Sequence, residues 1–307
     1  MIVTRARNAF GEVPGDAGTV VAEVKLDFTL AFGSFRANWR AFVGAQLLGI
    51  AAFSMTIFAT MGVVHAFVPL SQFVDATSSG APWVLVTVSL AVLPAFVVLN
   101  AFLGSQFGLA FDVMSSGDEF AEVRGALAYF RRYWWRYVAA SAWVVGVGQV
   151  VPNAWLAHSL LAGSEGAAWV ARFAAAGAYY GVWFCCTAMT FPALTATGSL
   201  TAASKANLKL LRTKARRVLL PLAVYFLAFE LPGFLLDLAV VRVVDPSLGA
   251  SRDAVRSSFL EPGVLALVVA NFAWEVARTF VGLPLLALVT TRAYNSATME
   301  EWSNGGG

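Results

Sequence analysis

The sequence predicts an all-α membrane protein: a polytopic helical bundle of six transmembrane helices in three repeated units, each preceded by an amphipathic interfacial helix. Three observations predict it. Of the 307 residues, 59% are hydrophobic and only 13% are charged, and mean hydropathy is +0.70; a soluble domain carries about a quarter charged residues to cover its surface. Six apolar stretches reach the ~20 residues a helix needs to cross about 30 Å of hydrocarbon. Three basic, aromatic segments, FGSFRANW at 32–39, LAYFRRYW at 127–134 and LKLLRTKARR at 208–217, each run straight into such a stretch. A helix with cations on one face and large apolar groups on the other rests at a membrane surface.

Residues 1–19 read as a flexible cytosolic N-terminus, with no apolar core of the kind a secretory signal needs and with Glu12 and Asp16 against a mitochondrial presequence. The membrane domain then covers 20–300, in units of about 20–111, 118–194 and 200–291, and 301–307 form a flexible tail. In the first unit Val21, Val24, Phe28, Ala31, Phe35, Trp39 and Phe42 recur at spacings of three and four. This is one apolar stripe on a helix. Span one is placed at 41–67 and span two at 83–111. The second unit repeats the pattern with Phe120, Val123, Leu127, Phe130 and Trp134, followed by spans at 134–157 and 168–194. The third has Leu200, Ser204, Leu208, Leu211, Ala215 and Val218, then spans at 218–241 and 263–291. Phe35, Phe130 and Leu211 are accordingly expected at headgroup or acyl depth, and Lys25, Glu122 and Lys209 in water.

The second span of every unit carries a proline, Pro94, Pro192 and Pro284. A proline in a membrane helix withdraws one N–H and leaves a carbonyl that neighbours must satisfy. Gly104 with Gly108 and Gly177 with Gly181 form GxxxG pairs in spans two and four, suited to close helix approach within the bundle or between protomers.

Orientation follows from the cations. Arg5, Arg7, Lys25, Arg36 and Arg40 precede span one; Arg124, Arg131, Arg132 and Arg136 lie between spans two and three. Lys205, Lys209, Arg212, Lys214, Arg216 and Arg217 lie between spans four and five, and Arg292 follows span six. The opposite side holds Arg172, Arg242, Arg252 and Arg256. The positive-inside rule places both termini in the cytosol, with outer loops near 68–82, 158–167 and 242–262. Arg36, Trp39, Arg40, Arg131, Arg132, Trp134, Trp135, Arg136, Lys209, Arg212, Arg216 and Arg217 are the expected interfacial lipid contacts. Each cation near an anionic leaflet contributes about 1 kcal/mol.

Glu230 and Asp237 in span five, and Asn271, Glu275 and Arg278 in span six, are the polar residues set deep in hydrocarbon, where an ionised group must be paired or wet. At about 1.5 Å per residue, Glu230 lies roughly 20 Å beyond Arg217 and Arg278 roughly 21 Å before Arg292, so the two should meet. Asp237 falls level with Asn271, and Glu275 lies between the two layers. A buried ion pair that fixes helix register and a polar pathway with spare carboxylates both fit this placement.

The order of amphipathic helix, span, loop and proline-bearing span, the entry GSLTAASKANLKLL at 198–211 and the ending LPLLALVTTRAYNSATMEE at 283–301 resemble a family of six-helix membrane proteins. This is the membrane domain fused to some glycerophosphoryl diester phosphodiesterases, together with its stand-alone relatives. The resemblance covers about 20–300 and implies the six-helix fold. The chain has no phosphodiesterase domain, so that activity is not implied, and Tyr294 is followed by Asn295 where such proteins end in a tyrosine-rich, aspartate-containing segment.

Catalytic chemistry is sparse. His65 and His158 stand alone at the outer ends of spans, with no carboxylate or cysteine at metal-ligand spacing. Cys185 and Cys186 read as small buried residues. No nucleophile, base and orienting partner can be assembled, and neither a metal nor a cofactor is expected. The function expected is a non-enzymatic integral membrane scaffold or accessory subunit that binds lipids, anionic on the cytosolic side, or partner membrane proteins or a second copy of itself. The alternative is a transporter or lipid-handling protein with a polar pathway between spans five and six. Nucleic acid is a poor partner, because membrane-flanking cations already account for a pI of 9.0. The location expected is a prokaryotic cytoplasmic membrane.

Overall fold

A computed structural model of the chain describes residues 17–67, 82–115, 121–148, 166–244 and 262–304. The expected flexible ends and outer loops, and the side chains of His65, His158 and Asp237, lie wholly or largely outside the described residues. The described chain is helical throughout, without strands. The helices are α1 (Ala17–Phe67), α2 (Pro82–Ser115), α3 (Val123–Ser141), α4 (Gly166–Thr187), α5 (Thr190–Thr197), α6 (Leu200–Thr213), α7 (Ala215–Tyr225), α8 (Leu231–Val244), α9 (Pro262–Ala277) and α10 (Leu283–Asn304). Among the described residues, four stretches are long and apolar enough to cross a membrane: Val21–Val63, Val97–Met114, Ala215–Leu236 and Pro262–Thr298.

The segments ahead of spans one and three differ from expectation. Neither is separated from its span: α1 is a single helix of 51 residues, about 76 Å at 1.5 Å per residue, and α3 passes straight into a π-helical turn at Ala142–Gly146. Among the described residues, only the segment ahead of the expected fifth span is a separate helix, α6, divided from α7 at Lys214 (φ −136°, ψ 37°). The expected third span leaves the described residues at 149. The expected fourth is divided by a turn at Ala188 and Met189, where Pro192 supplies no N–H to the Ala188 carbonyl and Phe191 N–H donates to it instead.

The expected apolar stripes are divided between protein and surroundings. On α1 Val24, Ala31 and Phe42 are buried while Val21 and Trp39 are exposed; on α3 and α6 the fully buried residues, Ala126, Tyr133 and Tyr137, and Ala203 and Leu210, lie beside the expected stripes, whose Trp134 and Leu208 are exposed. Phe35 packs on Phe42, Phe130 stacks on Phe102 with centroids 4.5 Å apart, and Leu211 lies against the core. The reason is the neighbouring apolar surface of the bundle, which these helices cover before lipid can. Asp27, beside Phe28 on α1, pairs with Arg292 of α10 (Nε to Oδ1, 2.6 Å), joining the first described helix to the last.

The later half of α2 and the middle of α10 form the centre, touching α1, α3, α5 and α7 between them. Buried amides tie neighbouring segments: Gln106 of α2 donates to Phe42 O of α1, Asn207 of α6 donates to Cys186 O of α4, and Asn38 Oδ1 of α1 accepts the Ala121 N–H ahead of α3. Gly198 (φ 64°), the one non-negative φ among the described residues, ends α5 in the left-handed region that glycine adopts without cost. The Arg136 guanidinium donates to its carbonyl. Towards the opposite end the surface turns apolar, with Met55 72%, Phe58 77% and Phe272 70% exposed, as hydrocarbon contact requires.

Both glycine pairs are used within the chain, and each glycine seats an aromatic ring. A Cβ on Gly104 would enter the Tyr137 ring and one on Gly108 the Tyr129 ring; at Gly177 and Gly181 it would meet Phe234 at 2.6 Å and Phe226 at 3.0 Å. The Tyr129 hydroxyl donates to Asp112 (2.7 Å). Burial, then the hydrogen bond and charge of Asp112, raise the Tyr129 phenol well above its usual range.

Candidate functional site

Two helix interruptions set the intramembrane charges facing each other. Phe226–Glu230 and Arg278–Gly282 are π-helical turns, closed by Leu231 N–H to Phe226 O and Leu283 N–H to Arg278 O. Each is followed two residues later by a proline, Pro232 or Pro284. A proline there removes the donor for the carbonyl four residues back, and the wider turn re-registers the ladder. Glu230 ends one turn and Arg278 begins the other, and the turns pack together.

The two charges meet as their depths require. Arg278 Nη1 lies 2.9 Å from Glu230 Oε2, and Arg278 Nη2 lies 2.6 Å from Glu275 Oε2, with Nε also donating to that oxygen at 3.2 Å. Tyr180 and Tyr225 hydroxyls donate to Glu230 at 3.3 and 3.4 Å. Glu230 is buried, whereas the Arg278 and Glu275 side chains are 31% and 35% exposed. Glu275 therefore shares the guanidinium rather than lying apart from the pair. Two carboxylates against one guanidinium leave one negative charge in excess, a balance that a proton or a cation would complete. Asn271 is half-buried two turns before Arg278; the Asp237 side chain is outside the described residues.

Side chains of neighbouring helices donate to carbonyls within the π turns. Trp274 Nε1 donates to Phe229 O (3.1 Å), Gln46 Nε2 to Thr279 O (3.3 Å), and Trp183 Nε1 to Val144 O and Trp143 O (3.1 and 3.2 Å) at the third such turn. Each such bond ties a π turn to the helix beside it. Tyr180, Tyr225 and Gln46 were not anticipated; a lone amide in an apolar span, as at Gln46, is the sequence feature that could have pointed to one of them.

The second set of predicted residues lies on the outer faces of α1, α3, α6 and α7. Arg36, Arg40, Arg131, Arg132, Lys209, Arg212 and Arg216 are exposed, and Trp39, Trp134 and Trp135 are 49%, 45% and 52% exposed beside them. Arg40 stacks over Trp39, and Arg136 over Trp135 at 5.1 Å. Arg136 and Arg217 are drawn inward, to Gly198 O and to Glu23 (3.2 Å). An open cleft of about 460 Å³ lies where α6 meets α7, lined by Glu23, Arg212, Thr213, Lys214, Ala215, Arg216 and Arg217. A groove of about 330 Å³, almost wholly apolar, runs between α4 and α8 past Phe173, Gly177, Phe226 and Phe234.

Compared with protein families, characterised proteins and solved structures, the chain matches none.

Proposed function

We propose that the protein is a non-enzymatic integral membrane scaffold or accessory subunit. It crosses the membrane six times in three units, keeps both termini in the cytosol, and binds anionic lipid and partner membrane proteins on its cytosolic face. One observation carries the reading: the pre-span segments turn one face to the protein's own core, through Val24, Ala31 and Phe42, Ala126 and Tyr133, and Ala203 and Leu210, while Arg36, Arg40, Arg131, Arg132, Arg212 and Arg216 with Trp39, Trp134 and Trp135 point outward. Such a face combines headgroup attraction with an aromatic belt. The three-unit plan is supported by the repeated device in which Trp183 and Trp274, each in the second span of its unit, cap a π turn of the first. The six-helix plan is the one the resemblance to the phosphodiesterase-associated membrane domain implies. The glycine pairs are filled by the chain's own rings, so partner helices meet other surfaces.

The test is the lipid that stays with the protein through mild-detergent purification. The proposal expects enrichment of anionic over zwitterionic lipid relative to the source membrane, reduced when Arg36, Arg131, Arg132 and Arg216 are changed to Gln. Wild-type lipid of bulk composition would contradict it. The excess carboxylate beside Arg278 favours a second reading, a proton or cation pathway between spans five and six. That reading expects proteoliposomes to take up a monovalent cation or protons, and a stable Glu275→Gln variant to lose the flux.

A further inference from the structure

The cleft at the α6–α7 break carries chemistry that the surrounding basic surface does not. Thr213 ends α6, Lys214 leaves the helical region, and Ala215 starts α7, so a single non-helical residue turns cations of two helices into one concavity. Arg212, Lys214, Arg216 and Arg217 line it against one carboxylate, Glu23. Two of these cations frame the cleft: Lys214 Nζ donates to Ala297 O of α10 at 2.9 Å, and Arg217 Nη2 pairs with Glu23 Oε1 of α1 at 3.2 Å. Arg212 and Arg216, four residues apart, are exposed at its mouth.

Four cations around a single carboxylate leave the cleft with a positive excess that favours an anion, and guanidinium forks match the oxygens of a phosphate in pairs. Depth narrows the ligand further. The apolar stretch Ala215–Leu236 begins at the cleft, so the cleft opens at the level where hydrocarbon gives way to headgroups. The three framing elements α1, α7 and α10 also belong to the first and last units, so an occupant would rest on the seam that closes the bundle.

We propose that this cleft is a specific binding site for a phosphate group, carried by the headgroup of an anionic phospholipid or free in the cytosol. The proposal deepens the lipid-binding reading above and rests on it for the membrane source. Native mass spectrometry of the full chain in detergent, titrated with phosphatidylglycerol, with phosphatidylcholine and separately with inorganic phosphate, reads the site directly. One phosphatidylglycerol should bind more tightly than any further copies, and more tightly than phosphatidylcholine.

Arg212→Gln with Arg216→Gln should weaken that first step by about fivefold per residue, roughly 25-fold together. Arg124→Gln with Lys205→Gln, the same change in charge at exposed positions outside the cleft and outside the expected lipid contacts, should leave it in place. Arg212→Lys with Arg216→Lys should fall between, because charge remains while paired donation is lost. Displacement of the tight lipid by inorganic phosphate shows that the phosphate group is what is recognised; inorganic phosphate binding equally well without lipid assigns the free anion as the occupant. Wild-type affinity for both probes in the Arg212/Arg216 variant would overturn the site. Equal losses in the two double Gln variants would overturn it too, leaving a diffuse basic field and the lipid-binding reading intact. No preference of the wild type for phosphatidylglycerol over phosphatidylcholine would defeat that reading itself.

Discussion

Replacing Arg278 by Gln should destabilise the protein far more than replacing Glu230 by Gln, and the asymmetry follows from the geometry. Arg278 serves two carboxylates, Glu230 at 2.9 Å and Glu275 at 2.6 Å. Its loss strands both in a low-dielectric layer, and removing one partner of a buried pair costs about 3–5 kcal/mol. Glu230→Gln leaves Arg278 with Glu275, and the new amide carbonyl can still accept from Tyr180 and Tyr225, so the loss should be about 1.5–3 kcal/mol, that of one hydrogen bond to a charged group. The double variant should lose less than the sum of the singles, since contacting residues couple by about 0.5–3 kcal/mol. Thermal unfolding in detergent, followed by near-UV circular dichroism, gives all four corners of the cycle. Additive losses, or a Glu230→Gln loss as large as that of Arg278→Gln, would refute the shared guanidinium.

Trp183→Phe and Trp274→Phe should each cost about 0.6–2 kcal/mol in the same assay, the range for one hydrogen bond inside a membrane, because each removes an indole donor to π-turn carbonyls; an unchanged midpoint would contradict a role for these bonds. Gly108→Leu should cost roughly 1–3 kcal/mol or more, the scale of overpacking, since the Tyr129 ring occupies the space, and loss of the folded monomer peak on size exclusion is the alternative readout. Tyr129 has its phenol raised above the ordinary value of 10.0 by burial and Asp112, so its contribution is complete below pH 10 and lost as pH rises beyond it. Tyr129→Phe should therefore lose about 1.5–3 kcal/mol at neutral pH, the worth of a hydrogen bond to a charged group, and show a flatter alkaline limb in a pH series of unfolding midpoints; an unchanged limb would contradict the assignment.

The helical class, four of the six expected membrane-length apolar stretches and the Glu230–Arg278 contact were legible in the sequence, for related reasons. Apolar length and composition report burial in hydrocarbon without reference to partners, and a charge in such a stretch has so few ways to be satisfied that counting depth along antiparallel helices finds its partner. The faces were not legible in the same way. A stripe such as Val24, Ala31 and Phe42 looks alike whether it meets lipid or protein, and only Asp27 beside it, the partner of Arg292, hints at a protein-facing role. GxxxG pairs likewise state that something approaches closely, but not that it is the ring of Tyr137 or Phe234 rather than another backbone. The π turns left a trace in Pro232 and Pro284, yet a proline alone does not say whether a helix kinks, breaks as at Pro192, or widens.

The central claim is that the basic, aromatic faces of all three units lie on the cytosolic leaflet while alternate loops lie outside. Single cysteines at Arg36, Arg132, Arg216, Thr77, Gly163 and Gly249, in a background lacking Cys185 and Cys186, can be challenged with a membrane-impermeant maleimide in right-side-out and inverted vesicles. The account predicts that Arg36, Arg132 and Arg216 label only in inverted vesicles and that Thr77, Gly163 and Gly249 label only in right-side-out ones. Labelling of Gly163 from the same side as Arg132 would reduce the crossings of the second unit to none, and labelling of the three arginine positions from different sides would contradict the shared cytosolic face.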